Sequence, residues 1–252
     1  MRRLLVALAM LASAVAVAAG QSLRFGSRSH PIEPNPPYDG QFTFVRLRYG
    51  PPMPMINQRI PWSHDYPDGE RHFMQIMNEV TYLHPKMVES SVIGLGDPEL
   101  GRYPVAYMAE PGYWFASDAE AAVFRAWLLK GGFVIFDDFA ENRGGWNAFV
   151  ATFQKILPGV RFYDLEPSHP IFHAFFEIPS FDIVPQMYDE GRPIFRGVFE
   201  NNDPNKRLMA MINFNTDISE FWEFSPVGLR PIAETNEAFK LGVNYVMYGM
   251  TH

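Results

Sequence analysis

Cysteine is absent from the 252-residue sequence. A chain without cysteine has no disulfide framework, no thiolate nucleophile, no Cys-type zinc site and no cysteine-bound iron–sulfur cluster. The sequence also lacks a Gly-Lys dipeptide, a Gly-x-Ser-x-Gly elbow and a His-Glu-x-x-His motif. These absences exclude a P-loop, the usual α/β-hydrolase nucleophile and the common zinc-protease centre.

Positive charge is scarce. Lys and Arg total 21 against 28 Asp and Glu, so the formal net charge is −7, and no run of basic residues occurs. A groove that follows a phosphate backbone needs clustered positive charge, and nucleic acid is therefore not an expected partner. Hydrophobic residues make up 47% of the chain, which is enough for a substantial core and excludes a disordered or fibrous protein.

The N-terminus has the pattern of an export signal. Arg2 and Arg3 precede an apolar stretch, Leu4–Val17, and small residues follow it. This pattern predicts a signal peptide over residues 1–20, cleaved so that the mature chain starts near Gln21. The alternative is a membrane anchor, but the stretch is shorter than the roughly 20 apolar residues that span a bilayer. We expect an exported protein of the periplasm or extracellular space, with no transmembrane segment after cleavage.

The mature chain is predicted to consist of a Pro-rich extended segment, 21–41, and a single α/β domain, 42–252. Apolar runs and alternation predict strands at Phe42–Tyr49, Tyr103–Met108, Phe133–Phe136, Ile194–Val198 and Leu208–Ile212. Helical spacing predicts helices at Asp68–Leu83, from Ser117 to about Leu128, at Trp146–Leu157 and at Phe239–Met250. Strands that alternate with helices favour a three-layer sandwich around a mostly parallel sheet.

Asp137 and Asp138 directly follow the apolar run Phe133–Phe136. Four consecutive apolar residues indicate a strand buried on both faces, and ligands of open α/β sheets bind at the carboxyl edge of such strands. The simpler interpretation is that one carboxylate caps another segment while the other is solvated. The functional interpretation is a general base, a cation ligand or an acceptor for a polar ligand.

The segment from Trp62 to Pro67, which includes Asp65 and Tyr66, is a dense aromatic and polar cluster within a Pro-rich loop. Its side chains either line a site or attach the loop to the body of the protein. Arg46 and Arg48 share one face of the first strand, which ends near Tyr49, and one of them could pair with Asp65 or Asp138. A structural ion pair is the favoured interpretation.

His169 and His173 are four residues apart, but Pro170 interrupts the helix that would align them. A metal site formed by these two histidines is therefore not expected. The simpler interpretation places His169 in a turn, with its imidazole bonded to the backbone. No cofactor and no metal ion are predicted from the sequence.

Several short motifs in a fixed order resemble the bacterial family called domain of unknown function 4159. They are Phe44–Tyr49, Trp62 with Asp65–Pro67, Gly131–Phe133 with Asp137–Asp138, His169–Phe172 and Gly242–Tyr245. The resemblance covers about residues 42–252. It implies a flavodoxin-like, class I glutamine-amidotransferase-like fold and no established activity. Glutamine hydrolysis through a thioester is excluded because the chain has no cysteine.

Two functional hypotheses lead, and a purely structural envelope protein is a third alternative. The first is an exported, non-catalytic module that binds a small polar ligand or an envelope protein. The second is a hydrolase of a carbohydrate- or peptide-like substrate in which Asp137 or Asp138 acts with His169. Convergence of Asp65, Asp138 and His169 on one cavity would favour the enzyme, and dispersal would favour the binding module. The predicted site residues are Arg46, Tyr49, Trp62, Asp65, Tyr66, Asp137, Asp138 and His169.

Overall fold

The computed structural model describes residues 31–51, 55–57, 60–139, 145–184 and 191–252. The predicted signal peptide and the first part of the Pro-rich segment lie outside the described residues. Within the described ranges, no helix combines the length and the apolar character that crossing a bilayer requires.

Seven strands form one sheet in the order β2-β1-β3-β4-β7-β6-β5. Strands β2, β1, β3, β4 and β7 run parallel, whereas β6 is antiparallel to both of its neighbours. The mostly parallel α/β architecture predicted from the sequence is confirmed. The strand bounds are β1 Phe44–Arg48, β2 Ser90–Gly94, β3 Val105–Ala109, β4 Phe133–Phe139, β5 Tyr163–Asp164, β6 Ile194–Phe199 and β7 Leu208–Phe214.

In the described part of the chain, five α-helices cover the two faces of the sheet. They are α1 Asp68–Val80, α2 Asp118–Leu129, α3 Gly145–Ile156, α4 Ile218–Glu223 and α5 Ile232–Thr251. Buried residues of α2 and α3 share one hydrophobic cluster, and those of α1, α4 and α5 share the other. Helix α2 begins at the predicted capping box, in which the Ser117 hydroxyl accepts from the Glu120 amide and the Glu120 carboxylate accepts from the Ser117 amide.

Strand β4 lies between β3 and β7, in the interior of the sheet. Phe136 packs with Trp114, Phe149 and Phe153 on the side of α2 and α3. Phe133 belongs to the cluster on the opposite face. Because both faces of β4 are covered, its first four residues, Phe133–Phe136, are continuously apolar rather than alternating.

The sequence-based prediction missed β2, β5 and α4 and placed the start of α5 too late. Strand β2 has only two large apolar residues and β5 has only two residues in all. Helix α4 has buried apolar residues at helical spacing but is only six residues long. Helix α5 begins at Ile232, before the predicted Phe239. The prediction missed its first two turns because they contain only one large apolar residue, Ile232, which is exposed.

The described part of the Pro-rich segment, residues 31–41, contains no helix or strand, yet it is attached to the body of the protein. The Asn35 side chain donates to the Val92 carbonyl and accepts from the Val92 amide, which satisfies backbone groups of β2. Glu33 forms an ion pair with Arg71 of α1 at 2.6 Å. This segment therefore covers part of the outer edge of the sheet.

Candidate functional site

A β-bulge in β4 places the two adjacent aspartates in different surroundings. Phe136 aligns with Ile212 of β7 and Phe139 with Phe214, so β4 has one residue more than β7 over this interval. Asp138 adopts a left-handed backbone with φ of 65°. Bulges redirect side chains and are common beside functional sites. Here the bulge lies where β4 reaches the carboxyl edge of the sheet.

Asp137 is a structural carboxylate. Its oxygens accept hydrogen bonds from the Asn213 side-chain amide at 2.9 Å and from the backbone amides of Ile218 and Ser219 at 3.1 Å. The Tyr107 hydroxyl lies 3.0 Å from Asp137 Oδ2. Burial raises the pKa of Asp137 to about 7 despite these donors. The carboxylate thus attaches the start of α4 to the middle of the sheet.

Asp138 faces the loop that follows β1. His64 Nδ1 lies 3.1 Å from Asp138 Oδ2, 3.5 Å from Asp65 Oδ1 and 3.9 Å from Asp217 Oδ2. The three carboxylates are buried, whereas 28% of the His64 side chain is exposed. One imidazole nitrogen therefore lies among carboxylates from three separate segments of the chain, and solvent reaches them on the His64 side.

Helix α4 adds further carboxyl groups. Asp217 caps α4 by accepting from the Glu220 amide at 3.0 Å, and the Glu220 carboxylate pairs with Arg230 at 2.6 Å. The Glu223 carboxyl contacts Asp65. We call the set Asp65, Asp138, Asp217, Glu220 and Glu223, together with His64, the carboxylate cluster.

Crowding of like charges perturbs these groups. Burial and the nearby Asp138 and Asp65 charges raise the pKa of Asp217 well above its usual range. Burial and the Asp65 carboxylate raise the pKa of Glu223 to about 9. Burial alone would lower the pKa of His64, but Asp138 and Asp65 outweigh it and raise that pKa to about 10. His64 is therefore an imidazolium at neutral pH, whereas the raised pKa keeps the Glu223 carboxyl protonated there.

Left-handed backbone conformations concentrate at this edge. Asp65, Glu110, Asp138 and Asn215 have φ values of 62°, 43°, 65° and 60°. Each residue lies in a connection that follows a parallel strand at its carboxyl end or, for Asp138, in the β4 bulge. Non-glycine residues held in this region cost free energy, and such residues cluster at functional sites.

Arg46 forms its ion pair with Glu70, rather than with Asp65 or Asp138, the partners that the sequence suggested. Its guanidinium forms a bidentate ion pair with Glu70 of α1, at 3.0 and 2.7 Å, and both side chains are buried. Glu70 is the nearer partner because α1 packs on the same face of the sheet as the Arg46 side chain. Arg46 also donates to the carbonyls of Trp62 at 3.2 Å and of His64 at 2.8 Å. It consequently holds the loop that carries His64 and Asp65.

The predicted aromatic residues support the site rather than line it. Trp62 and Tyr66 are buried in the core, which matches the interpretation that they attach the loop to the body. The Tyr66 hydroxyl accepts from the Glu33 amide. The Tyr49 hydroxyl lies 3.1 Å and 2.8 Å from the carbonyl oxygens of Ala109 and Glu110 at the end of β3.

His169 does not join the site. It caps a short 3₁₀ helix, Pro170–His173, and its ring packs against Phe199 and Tyr248. Phe199 pairs with the start of β7, so His169 lies at the amino edge of the parallel strands, opposite the carboxylate cluster. Its Nδ1 accepts from the Ile171 amide at 3.3 Å, in agreement with the interpretation as a turn residue.

Several site residues were not predicted from the sequence, namely His64, Tyr107, Asn213, Asp217, Ser219, Glu220 and Glu223. The sequence does contain a signal for some of them. A mostly polar stretch, 213–220, begins at the end of β7, and Asp217 with Glu220 has the spacing of a helix N-cap and its N3 acid. Because β4 and β7 are parallel, the polar residues at the end of β7 should lie near Asp137 and Asp138 at the end of β4.

Two groups of side chains could hold a metal ion. They are His64 with Asp65 and Glu220, and His64 with Asp138 and Asp217; within each group the candidate ligand atoms lie within 4.8 Å of one another. All these candidates are carboxylate oxygens apart from the single imidazole. The sequence had predicted no metal ion, because these residues are far apart along the chain.

The comparisons with known proteins identify the family. A comparison with curated proteins finds no match. A family model described as a domain of unknown function, DUF4159, matches residues 43–250. The match extends from β1 to the last turn of α5 and includes every residue of the carboxylate cluster. The chain therefore belongs to the DUF4159 family, as its motifs indicated.

Proposed function

We propose that this protein is an exported, non-catalytic binding module that takes a small cationic ligand at the carboxylate cluster. One observation carries the proposal: carboxylates from the β1 loop, the β4 bulge and the α4 cap lie within 3.9 Å of a single imidazole nitrogen. These three segments are far apart in sequence, and they meet at the carboxyl edge of the parallel strands, where open α/β sheets bind ligands.

The charge balance supports a cation as the ligand. Arg46 is paired with Glu70, and Arg230 is paired with Glu220. Among the described residues, the cationic side chain in contact with Asp65, Asp138 and Asp217 is therefore that of His64. Buried carboxylates that are not neutralised are costly, so a bound cation would stabilise the folded protein.

The chemistry of the cluster supports binding rather than hydrolysis by Asp137 or Asp138 with His169. His169 lies at the opposite edge of the sheet. The Ser219 hydroxyl contacts Asp65 and lies 3.0 Å from Asp217 and 2.7 Å from the Tyr107 hydroxyl, so its neighbours are acids and a phenol rather than an imidazole base. An imidazolium with its pKa near 10 is a poor general base at neutral pH.

The scaffold we propose is flavodoxin-like, of the class I glutamine-amidotransferase type. The parallel strands follow the order β2-β1-β3-β4-β7, which corresponds to the flavodoxin-like order 2-1-3-4-5. The basic and apolar N-terminal pattern supports export to the periplasm or the extracellular space. Envelope proteins are the natural source of partners there, and their Lys side chains and N-terminal amines are cationic groups.

Thermal unfolding in the presence of ligands tests the proposal. Mature protein starting at Gln21 is heated with spermidine, MnCl₂ or glucose, because a ligand that binds only the folded state raises the unfolding midpoint. We expect at least one of the two cations to raise the midpoint, and glucose to leave it unchanged. In Asp138→Asn that increase should disappear, since asparagine tolerates the left-handed backbone but lacks the charge.

Glu79→Gln is the matched control because Glu79 is an exposed acid of α1. It should respond to cations as the unmodified protein does. Failure of both cations to shift the midpoint, or an equal shift in Asp138→Asn, would contradict the proposal.

A further inference from the structure

Asp65 carries the observation that points to a particular kind of ligand. Its side chain is fully buried, and its Oδ2 atom accepts from the Ser219 hydroxyl. Within the described part of the chain, no N–H or hydroxyl group donates to Oδ1 with acceptable geometry, and the Asp65 carboxylate also contacts the Glu223 carboxyl. That oxygen is directed into the carboxylate cluster, 3.5 Å from His64 Nδ1. A buried carboxylate oxygen without a donor is costly, and a bound cation would remove the cost.

Contact between carboxyl groups supports the same conclusion. The Glu223 carboxyl contacts Asp65, and two carboxyl groups in contact need either a proton or a cation between them. The dimensions suit an ion. The candidate ligand atoms of each group lie within 4.8 Å of one another, and metal–oxygen bonds of about 2.1–2.4 Å place ligand atoms at most about 4.8 Å apart.

The donor set distinguishes between cations. An ammonium group only donates hydrogen bonds, so it cannot accept from the His64 imidazolium and would be repelled by its charge. A metal ion can instead displace the Nδ1 proton and bind the lone pair, which lies among the three carboxylates. Imidazole favours first-row transition metals, and carboxylates suit Mg²⁺, Ca²⁺ and Mn²⁺. A site with three carboxylates and one imidazole therefore favours Mn²⁺ or Zn²⁺ over Ca²⁺ and Mg²⁺.

We propose that the ligand of the carboxylate cluster is a divalent transition-metal ion of the Mn²⁺ or Zn²⁺ type, held by His64, Asp138 and Asp217, with Asp65 Oδ1, 3.5 Å from His64 Nδ1, as a further ligand. This inference rests on the proposed function and narrows its cationic ligand to a metal ion. On binding, the metal takes the lone pair of His64 Nδ1, and the proton on that nitrogen passes to solvent.

Isothermal titration calorimetry tests the inference on chelator-treated mature protein. The ligands are MnCl₂, ZnCl₂, CaCl₂ and spermidine. We expect one Mn²⁺ or Zn²⁺ ion to bind per chain, at least about tenfold more tightly than Ca²⁺. His64→Asn should weaken Zn²⁺ and Mn²⁺ binding by at least about tenfold and change Ca²⁺ binding less.

Asp217→Asn should weaken the binding of all three metal ions. Asparagine still caps α4, so the fold is kept while one charge is removed from a crowded cluster. The unfolding midpoint of this variant in chelator should equal or exceed that of the unmodified protein. The matched controls are His84→Asn, at an exposed histidine with a φ of 47°, and Glu79→Gln; both should bind metal normally.

The outcomes separate this inference from the proposed function. Binding of spermidine without any metal would overturn the metal site and leave the cationic binding module in place. Tighter binding of Ca²⁺ than of Mn²⁺ and Zn²⁺ would overturn the role of His64. Unchanged metal affinity in both His64→Asn and Asp217→Asn would place the metal elsewhere and overturn the inference. If neither spermidine nor metal binds, both proposals fail.

Discussion

Asp137 accepts a hydrogen bond from the backbone amide of Ser219, which lies 82 residues later in the chain. Its neighbour Asp138 faces His64 instead, at 3.1 Å. The bulge in β4 separates these two roles: one carboxylate holds α4 against the sheet, and the other faces the partly exposed carboxylate cluster.

Asp137→Asn should destabilise the protein. The donors that surround Asp137 include the Asn213 side-chain amide and the amides of Ile218 and Ser219, and an asparagine NH₂ group would face one of them. We expect the free energy of unfolding to fall by about 1–3 kcal/mol. Urea denaturation measures this change, with Asp138→Asn as the comparison, for which we expect little change. An equal loss in both variants would make the pair wholly structural.

Phe136→Ala tests the interior position of β4. Phe136 is fully buried and contacts Trp114, Phe149 and Phe153, so its removal leaves a cavity in the core. The expected loss in the free energy of unfolding is about 3–5 kcal/mol. Phe115→Ala is the control because 72% of Phe115 is exposed. A loss below about 1 kcal/mol for Phe136→Ala would contradict the assignment.

The buried pair of Arg46 and Glu70 should show strong coupling. Arg46→Met leaves the Glu70 carboxylate buried without its bidentate partner, and we expect a loss of about 3–5 kcal/mol. The double variant Arg46→Met, Glu70→Met removes both charges and should lose less. Chemical denaturation of the two single variants and the double variant measures the coupling energy. Strictly additive losses would show that the pair is not energetically coupled.

His169 should make stability depend on pH. Burial lowers its pKa, and its Nδ1 must stay unprotonated to accept from the Ile171 amide. A basic group whose pKa is lower in the folded state than in the unfolded state stabilises the fold above the unfolded value of about 6.5. This contribution is lost as the pH falls below that value.

The measurement for His169 is the unfolding midpoint at pH 7.5 and at pH 5.5, for the unmodified protein and for His169→Asn. Asparagine can supply the same capping acceptor without titrating. On acidification the unmodified protein should lose stability relative to the variant. A constant difference between the two proteins would show that His169 does not titrate in this range.

Export remains a prediction from residues 1–20. Cell fractionation should recover the protein outside the cytoplasm, and N-terminal sequencing should find a start near Gln21. Arg2→Asp, Arg3→Asp should retain the precursor inside the cell, because it inverts the charge of the basic region. Recovery of an intact chain from Met1 in the inner membrane would instead identify an anchored protein.

The sequence by itself determined the local elements. Ser117 and Glu120 place the start of α2, and Gly131, with a φ of 117°, follows its end. The apolar run Phe133–Phe136 predicts a strand covered on both faces, and the structure places it between β3 and β7. These features follow from hydrogen bonds and side-chain burial within one turn or one strand, which neighbouring residues in the sequence are sufficient to specify.

The pairing between distant residues was decided only by the tertiary structure. His64 meets Asp138 and Asp217 because the parallel register of β1, β3, β4 and β7 brings their carboxyl ends to one edge. His169 lies at the other edge because it packs against Phe199, at the end of the antiparallel strand β6. The direction and order of strands depend on hydrogen bonds between segments far apart in sequence, and no local pattern of residues encodes them.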